Sequence, residues 1–363
     1  MSDPNPLAEK RIAVILVNWN GWRECVECID SVFAQNHRNF HVFVVDNDSH
    51  DQSIEHIVVW CSQPKAETSW RRHPGVNRLT DQPSVGSVRH RVVERADGLP
   101  PAPDGCRLTL VRSGGNLGFA GGCNVGINAA GLQNFDYFWF LNADAVVDQH
   151  ALVELIGRAE RQSDIGIVGS TVRYYDAPGV VQAMGGASLN RSNGNSRHIG
   201  EGARLSEVPE DGSAVERDMA YVMGASMLVS QKYIAEIGLM AEDYFLYFED
   251  ADWAMRGSAK FSLGFAPRSH VFHKWGATSH KAASRFSSEL YYRNRLRFVT
   301  RFFPGRLAAA KRAMFEQLLR HILRGRWEQA RIVFSTLLMA GKITADVKQR
   351  GAATRVVAAA DYQ

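Results

Sequence analysis

The chain of 363 residues is long enough for one large domain with an appendage or for two smaller domains. Hydrophobic residues make up 45% and charged residues 22%, which excludes a disordered, collagen-like or coiled-coil chain. The net charge of +4 is too small to define a partner, but residues 293–331 hold eleven Arg and Lys against two acids. The basic character is therefore concentrated in one C-terminal segment.

The cysteines and the N-terminus predict a protein of the reducing cytoplasm. Five cysteines is an odd number, and residues 1–10 contain no apolar run of the kind found in secretory signals. Cys25 and Cys28 have the spacing of half a zinc site, but both fall on the apolar stripe of a predicted helix. This placement favours buried core cysteines. No apolar stretch has the length of a spanning helix, so any membrane contact is expected to be peripheral.

The N-terminal part alternates predicted strands and helices. Apolar runs at residues 12–17 and 41–45 predict two strands on either side of an amphipathic helix. Polar residues follow each run, at 18–20 and 46–49, and ligands of open α/β sheets bind where the strands end. Residues 63–106 break the alternation with six prolines among scattered arginines. We expect this segment to be an inserted, mobile loop.

Regular structure is predicted to resume with a strand at residues 108–111. The glycine-rich segment 114–124 leads into a helix, but it lacks the G-x-G-x-x-G spacing and does not follow the first strand. A dinucleotide-binding loop is therefore disfavoured. The apolar run 137–141 predicts a strand buried on both faces, and it ends at Asn142 and Asp144.

The remaining elements are predicted as a helix at 152–161, a strand at 165–168, loops or a hairpin at 185–202 and a strand at 219–229. Next, residues 244–253 place three carboxylates behind an aromatic run. Among these residues, Asp252 is spaced i,i+4 from Arg256, which predicts an ion pair on a helix. Beyond His273 the chain becomes helical and rich in arginine.

Four separated motifs together resemble those of family 2 glycosyltransferases of the GT-A fold, with the pattern of the bacterial rhamnosyltransferase-like branch. They are Val17-Asn18-Trp19-Asn20, Val45-Asp46-Asn47-Asp48-Ser49, Asn116-Leu117-Gly118-Phe119 with Leu141-Asn142-Ala143-Asp144, and residues 245–252, which contain Glu249-Asp250, followed by His273. The resemblance covers about residues 11–304, apart from the insertion. It implies an α/β fold with a Rossmann-like mixed central sheet flanked by helices, and a C-terminal helical extension.

The resemblance together with the change to arginine-rich helices beyond Lys274 predicts the domain boundaries. We expect an N-terminal tail at 1–10, a glycosyltransferase domain at 11–275 that includes the insertion, a basic helical extension at 276–345 and a C-terminal tail at 346–363.

The resemblance implies a donor-binding edge. Trp19 would stack on a pyrimidine base, and Asn47 would accept the ring N–H that uracil and thymine both present. A UDP- or dTDP-sugar is therefore the expected donor. The other implied donor-binding residues are Asn18, Asn20, Asp46, Asn116, Gly118 and Asn142. A polar turn in which Asp46 only caps a helix is the alternative.

A metal ion and a general base are also implied by the resemblance. Asp144 corresponds to the second Asp of the family's D-x-D motif, whereas Asn142 replaces the first and removes one negative charge. With His273 as a further metal or phosphate ligand, Asp144 is expected to bind Mg²⁺ or Mn²⁺ through the donor phosphates. A purely structural histidine is the alternative for His273. Asp250 corresponds to the general base and Glu249 to its acidic neighbour. Acids that collect at a helix N-terminus because of its dipole are the alternative.

The predicted function is an inverting transfer of a sugar, with rhamnose as a candidate, from a nucleoside-diphosphate donor to a saccharide. We expect the acceptor to be lipid-linked, in bacterial cell-surface polysaccharide synthesis at the cytoplasmic face of the membrane. A non-catalytic GT-A module that binds nucleotide or scaffolds an assembly is the alternative, which Asn142 keeps open.

The predicted helix at 307–323 indicates which kind of partner the protein binds. Its apolar stripe beside Lys311, Arg312 and Arg320 is typical of an interfacial helix on an anionic membrane surface. A helix that packs on the catalytic domain is the alternative. No nucleic-acid-binding module is recognisable. Upstream, residues 291–295 resemble a further motif of the branch, to which the sequence assigns no role.

Overall fold

The structure is a computed structural model that describes residues 7–63, 76, 87–95, 99–100, 102–274 and 285–360, with side chains as far as residue 349. The chain divides into two compact units. The first, here the sheet unit, comprises residues 1–188, 197–245 and 249–278. The second, here the helical unit, comprises residues 189–196, 246–248 and 279–363.

The strands of the described residues pair into two sheets. In chain order they are β1 (Ile12–Asn18), β2 (Phe40–Asp46), β3 (His90–Glu94), β4 (Leu108–Arg112), β5 (Tyr137–Asn142), β6 (Ala145–Val147), β7 (Ile165–Tyr174), β8 (Val181–Met184), β9 (Gly186–Asn190), β10 (Asn195–His198), β11 (Tyr221–Val222), β12 (Ser226–Ser230) and β13 (Ser262–His273). The large sheet has ten strands in the order β3-β4-β2-β1-β5-β12-β7-β13-β6, with β8 paired to β7. The small sheet has the order β10-β9-β11.

The helices of the described residues are α1 (Trp22–Phe33), α2 (Ser53–Ser62), α3 (Gly118–Ala130), α4 (Ala151–Glu160), α5 (Ser213–Asp218), α6 (Gln231–Ile237), α7 (Glu249–Gly257), α8 (Arg285–Phe302), α9 (Leu307–Leu323) and α10 (Trp327–Ala360). None of them has the length and apolarity that a membrane-spanning helix needs.

Helices cover both faces of the large sheet, which explains why its central strands are nearly continuous apolar runs. Successive side chains of a strand point to opposite faces. Ile12, Val14 and Leu16 of β1 accordingly pack in one core with α1, α2 and α4. Ala13 and Ile15 pack in a second core with α3, α6 and α7. The predicted α/β fold with a mixed central sheet, flanking helices and a C-terminal helical extension is confirmed.

Several local predictions are also confirmed. Cys25 and Cys28 of α1 are fully buried in the first core. The pair Arg256 and Asp252 forms the expected bond on α7, with 2.8 Å between Nε and Oδ1. Residues 185–202 contain the hairpin strands β9 and β10.

The structure differs from the sequence prediction in the insertion at 63–106. Strand β3 lies within it and pairs in parallel with β4 at the edge of the large sheet. Only Val92 and Val93 of this strand are apolar, so its hydrophobic pattern is weak. Residues 64–75 and 77–86 of the insertion lie outside the described residues.

Two further differences concern element boundaries. The single strand predicted at 219–229 is two strands, β11 in the small sheet and β12 in the large one, because residues 223–225 separate them. Helix α10 continues to Ala360, through most of the segment predicted as a tail at 346–363. Of the N-terminal tail, residues 1–6 lie outside the described residues.

The helical unit has its own apolar core between α8, α9 and α10. Leu296, Met314 and Val333 are buried in it. The apolar stripe predicted on the helix at 307–323 is therefore divided. Its Met314 and Leu318 pack in this core, whereas Phe315, Leu319, Ile322 and Leu323 are exposed.

Candidate active site

The direction of the strands gathers the predicted site residues at one edge of the large sheet. Strands β1, β2, β4 and β5 are parallel neighbours. Strand β12 is antiparallel to both β5 and β7, and β13 is parallel to β7, so β13 runs in the same direction as β5. The carboxyl ends of these strands therefore meet at the same edge, where ligands of α/β sheets bind.

The first two motifs are joined by hydrogen bonds. Asn18 Nδ2 donates to Asp46 Oδ1 and to Ser49 Oγ, both at 3.2 Å. The backbone N–H of Asn20 donates to the same Ser49 Oγ at 2.9 Å. Trp19, between the two asparagines, remains 44% exposed. The network thus holds two loops together and leaves an aromatic surface open to a ligand.

Asn47 holds the glycine-rich loop in place through hydrogen bonds. It is 2% exposed, and its Nδ2 donates to Asn116 Oδ1 at 3.1 Å and to the carbonyl oxygen of Gly118 at 3.0 Å. Its Oδ1 accepts the backbone N–H of Leu117 at 3.1 Å. The oxygen that we predicted to accept a base N–H thus already accepts a backbone N–H. A direct base contact by Asn47 stays a prediction.

Gly118 brings the glycine-rich loop against the segment before the acidic pair. Its φ of +71° lies in the left-handed region, and a Cβ there would lie 2.3 Å from the carbonyl oxygen of Phe245. The same oxygen accepts the backbone N–H of Phe119 at 2.7 Å. Only glycine allows this approach.

The aromatic residues that precede the acidic pair have unusual backbone angles. Phe245, Tyr247 and Phe248 have φ values of +66°, +69° and +73°. Such angles in bulky residues cost on the order of 1–3 kcal/mol each and persist only where neighbours enforce them. In the helical unit, buried Asn294 donates to the carbonyl oxygens of Leu246 and Tyr247 at 2.8 and 3.0 Å. This contact gives the motif at 291–295 a structural role that the sequence did not reveal.

The acidic pair opens α7. Asp250 accepts the backbone N–H groups of Ala251 and Gly224, and burial raises the pKa of Asp250 to about 6. Glu249 is 4% exposed, and burial together with the Asp250 charge raises its pKa well above the usual range. No described group hydrogen-bonds Glu249 Oε2. Burial therefore favours the protonated form of Glu249, while Asp250 is poised to accept a proton near neutral pH.

Asn142, Asp144 and His273 form a second cluster at the same edge. His273 Nε2 lies 3.2 Å from Asp144 Oδ1 and 3.1 Å from Asn142 Nδ2. Among the described residues, no group of three or more His, Cys, Asp or Glu side chains could hold a metal ion. The cluster supplies one carboxylate and one imidazole. This pair fits a divalent cation that takes its remaining ligands from phosphate and water oxygens.

Four residues around this cluster, Gln182, Glu27, Lys274 and Tyr175, were missed by the sequence analysis. Buried Gln182 of β8 lies with Oε1 3.0 Å from His273 Nδ1. Glu27 of α1 pairs with Lys274 and accepts the hydroxyl of Tyr175 at 2.7 Å. Gln182 is the only polar residue of the otherwise apolar segment 181–184, which is a sequence signal for a functional side chain.

The glycosyltransferase-like family 2 matches residues 9–315, which is most of the chain. The chain belongs to this family. It is a glycosyltransferase that uses a nucleotide-sugar donor, so the non-catalytic alternative is set aside. The rhamnosyl branch stays a prediction. No curated protein sequence matches the chain.

Solved structures with a similar fold include two of TarS and one of a mannosyltransferase. TarS 1–349 of S. aureus has 11% identity, covers 92% of this chain and 91% of its own, and has a TM-score of 0.46. TarS 1–349 with UDP-GlcNAc has 13% identity, 92% coverage of both chains and a TM-score of 0.45. The mannosyltransferase PcManGT of Pyrobaculum calidifontis, in complex with GDP-Man and Mn²⁺, has 15% identity, coverages of 98% and 83%, and a TM-score of 0.49.

Replacing Gly118 by alanine should destabilise the protein more than the same change at Gly114. Both glycines have positive φ, so each alanine costs about 1–2 kcal/mol of backbone strain. At Gly118 the Cβ also collides with the carbonyl of Phe245, whereas at Gly114 nothing lies within 4 Å. Urea unfolding should therefore show a clearly larger loss for Gly118→Ala. Equal losses in the two variants would contradict the close approach.

Proposed function

We propose that the chain is an inverting glycosyltransferase that transfers a sugar from a UDP- or dTDP-sugar to a saccharide acceptor, with Asp250 as the general base. The observation that carries the proposal is the acidic pair at the start of α7, where Glu249 is buried and favours its protonated form while the pKa of Asp250 is raised to about 6. A base poised near neutral pH is what removal of a hydroxyl proton requires. Rhamnose is the candidate sugar.

The reaction is a direct displacement at the anomeric carbon. The acceptor hydroxyl oxygen forms the new glycosidic bond on one face, and the bond to the diphosphate oxygen breaks on the opposite face. Asp250 takes the proton of the attacking hydroxyl, and the nucleoside diphosphate leaves with the electron pair of the broken bond. Because attack and departure occur on opposite faces, the anomeric configuration inverts.

The donor lies, in this proposal, along the edge formed by the first two motifs and the glycine-rich loop. Exposed Trp19 offers its ring to the base, and hydrogen bonds of Asn18 and Asn20 to Asp46 and Ser49 hold the loop on either side of it. Asn20, Asn116, Gly118 and Asn142 complete the edge.

Asp144 and His273 would hold a Mg²⁺ or Mn²⁺ ion. When bound, such an ion neutralises charge on the departing diphosphate. Since Asn142 carries no charge, the protein side of the site is less anionic than in a pair of aspartates. Asn142 Nδ2 is instead a hydrogen-bond donor beside His273.

Replacing Asp250 by asparagine should lower kcat by about 10²- to 10⁴-fold, the usual contribution of a general base, with little change in donor Kd. The substrate is found first with a hydrolysis screen over UDP-, dTDP- and GDP-sugars. Transfer and nucleotide binding are then compared with those of Asp218→Asn, an exposed carboxylate of α5 that should have wild-type activity. Retained turnover in Asp250→Asn would disprove the assignment.

The rate should also depend on pH in a defined direction. Because the pKa of Asp250 is raised to about 6, its reactive ionised form is lost as pH falls through that value. Below about pH 6, kcat/KM should fall roughly tenfold per pH unit, while donor binding, measured over the same range, should show no such step. A rate that stays constant down to pH 5 would exclude Asp250 as the base.

We infer further that the acceptor is lipid-linked and that the enzyme works on the cytoplasmic face of the membrane, bound peripherally. The support is a surface of the helical unit, here the apolar–basic surface, where α9 and α10 expose large apolar side chains. These are Phe315, Leu319, Ile322, Leu323, Trp327, Phe334, Leu338 and Met339. Leu323 and Trp327 are 85% and 68% exposed. Soluble surfaces seldom leave so many large apolar side chains exposed on two successive helices.

Basic residues lie beside these apolar side chains in the sequence, and their charge indicates the kind of partner that would bind this surface. Arg324, Arg326 and Arg331 are exposed between Leu323 and Phe334. Tryptophan and arginine beside aliphatic residues match the interface of an anionic bilayer, where rings and stems enter the headgroup region and charges face the phosphates. An anionic lipid surface therefore fits the apolar–basic surface better than a neutral protein partner.

Removing these three arginines should weaken vesicle binding. Each contributes about 1 kcal/mol near an anionic leaflet, so a variant with Arg324, Arg326 and Arg331 replaced by Gln should bind on the order of 100-fold more weakly at low salt. Cosedimentation with phosphatidylglycerol and phosphatidylcholine vesicles measures this. High salt should weaken wild-type binding, and neutral vesicles should bind poorly.

The matched control replaces the exposed Arg161, Arg217 and Arg268 of the sheet unit by Gln, which changes the net charge equally. This variant should bind like the wild type. If the wild type ignores anionic vesicles at low salt, the apolar–basic surface belongs to a protein interface and the acceptor need not be lipid-linked.

A further inference from the structure

Gln182 and His273 meet across a strand of the large sheet. Gln182 lies on β8, His273 is the last residue of β13, and β7 runs between these two strands. Gln182 is 1% exposed, and its Oε1 lies 3.0 Å from His273 Nδ1. The other ring nitrogen, Nε2, faces Asn142 Nδ2 and Asp144 Oδ1. The imidazole therefore has a different kind of neighbour on each nitrogen.

The chemistry of these neighbours determines which nitrogen carries the proton. An amide oxygen only accepts, and a neutral imidazole donates from one nitrogen and accepts at the other. The Gln182 oxygen thus requires a proton on Nδ1, which leaves a lone pair on Nε2. The amide N–H of Asn142, 3.1 Å from Nε2, fits the same assignment because it donates. Both amide side chains select one tautomer.

This tautomer places two electron-pair donors side by side. The Nε2 lone pair and the Asp144 carboxylate oxygen are 3.2 Å apart, and in a neutral imidazole no proton lies between them. A cation that binds both atoms removes their mutual repulsion. A metal-bound histidine usually donates its other N–H to an oxygen in this way, which fixes the ring and raises its basicity.

We propose that Gln182 is a positioning residue that holds His273 in the Nδ1–H tautomer, so that Nε2 and Asp144 Oδ1 face a divalent cation. The proposal rests on the metal site of the proposed function. It assigns to Gln182 a role through His273 alone, since its own Nε2 finds no hydrogen-bond partner among the described residues. A glutamine that only filled space in the sheet would be replaceable by leucine without effect on the ring.

The tautomer can be read directly in the metal-free protein. Long-range ¹H–¹⁵N spectra of histidine-labelled protein at about pH 8.5, where imidazoles are neutral, distinguish the two tautomers. We expect the Nδ1–H tautomer for His273 in the wild type. The signal of His273 is assigned because it is absent from the spectrum of His273→Gln. In Gln182→Leu the proton should move to Nε2, where Asp144 can accept it. In Gln182→Glu, which keeps an acceptor oxygen, it should stay on Nδ1.

His270 provides an internal control, because it lies three residues earlier on β13 and its spectrum should not change in either variant. An Nε2–H signal for His273 in the wild type would overturn the proposal. This measurement needs no variant, so it decides the question even if Gln182→Leu fails to fold.

Metal affinity is the second readout. The protein is titrated with Mn²⁺ alone, and the free ion is measured by its electron paramagnetic resonance signal. Gln182→Leu should bind Mn²⁺ about 10- to 100-fold more weakly than the wild type, which is the usual effect of removing a residue that orients a metal ligand. Binding should be restored in Gln182→Glu. Equal Mn²⁺ affinity in wild type and Gln182→Leu, or no Mn²⁺ binding by the wild type, would overturn the proposal. Failure of the proposed sugar transfer would show separately in the donor screen, because neither readout here depends on turnover.

Discussion

The common direction of β1, β2, β4, β5 and β13 is the constraint on which the site depends. The interiors of β1, β2 and β5 are mainly buried apolar residues, so most of their polar side chains occur where a strand stops. Parallel pairing then places all these stops at one edge. Residues that are far apart in the chain, such as Asn18, Asn142 and His273, become neighbours for this reason alone.

Burial at this edge of the sheet determines which polar groups are paired and which carboxylates have raised pKa values. A buried polar group needs a partner, and most have one within the protein: Asn18 with Asp46, Asn47 with the glycine-rich loop, and Glu27 with Lys274. Where no partner compensates fully, the charged form becomes unfavourable, and the pKa values of Glu249 and Asp250 rise. The same desolvation that costs stability therefore prepares a carboxylate to accept a proton.

The backbone conformation around the site is as specific as the choice of side chains there. Gly118 adopts a left-handed conformation so that the glycine-rich loop reaches the carbonyl of Phe245. Within the helical unit, Asn294 holds the carbonyls of Leu246 and Tyr247, where the chain passes through unfavourable angles just before the acidic pair. Strain of this kind is maintained by contacts around it, and it is typical of functional segments.

The sequence by itself determined the elements whose signal is local. Long apolar runs predicted β1, β2, β4 and β5 to within about two residues, helical periodicity predicted α9, and the order of the polar motifs indicated the family. The Asp252–Arg256 pair was predictable because both residues lie on one helix turn.

Only the tertiary structure decided the features that depend on distant partners. Edge strand β3 has too few apolar residues to show the hydrophobic pattern of a strand. It forms because it pairs with β4. Asn47 contacts a loop some 70 residues further along the chain, and Gln182 contacts His273 across 91 residues. Spacing along the chain carries no information about such contacts, because hydrogen bonds between strands are set by which strands become neighbours and in which register.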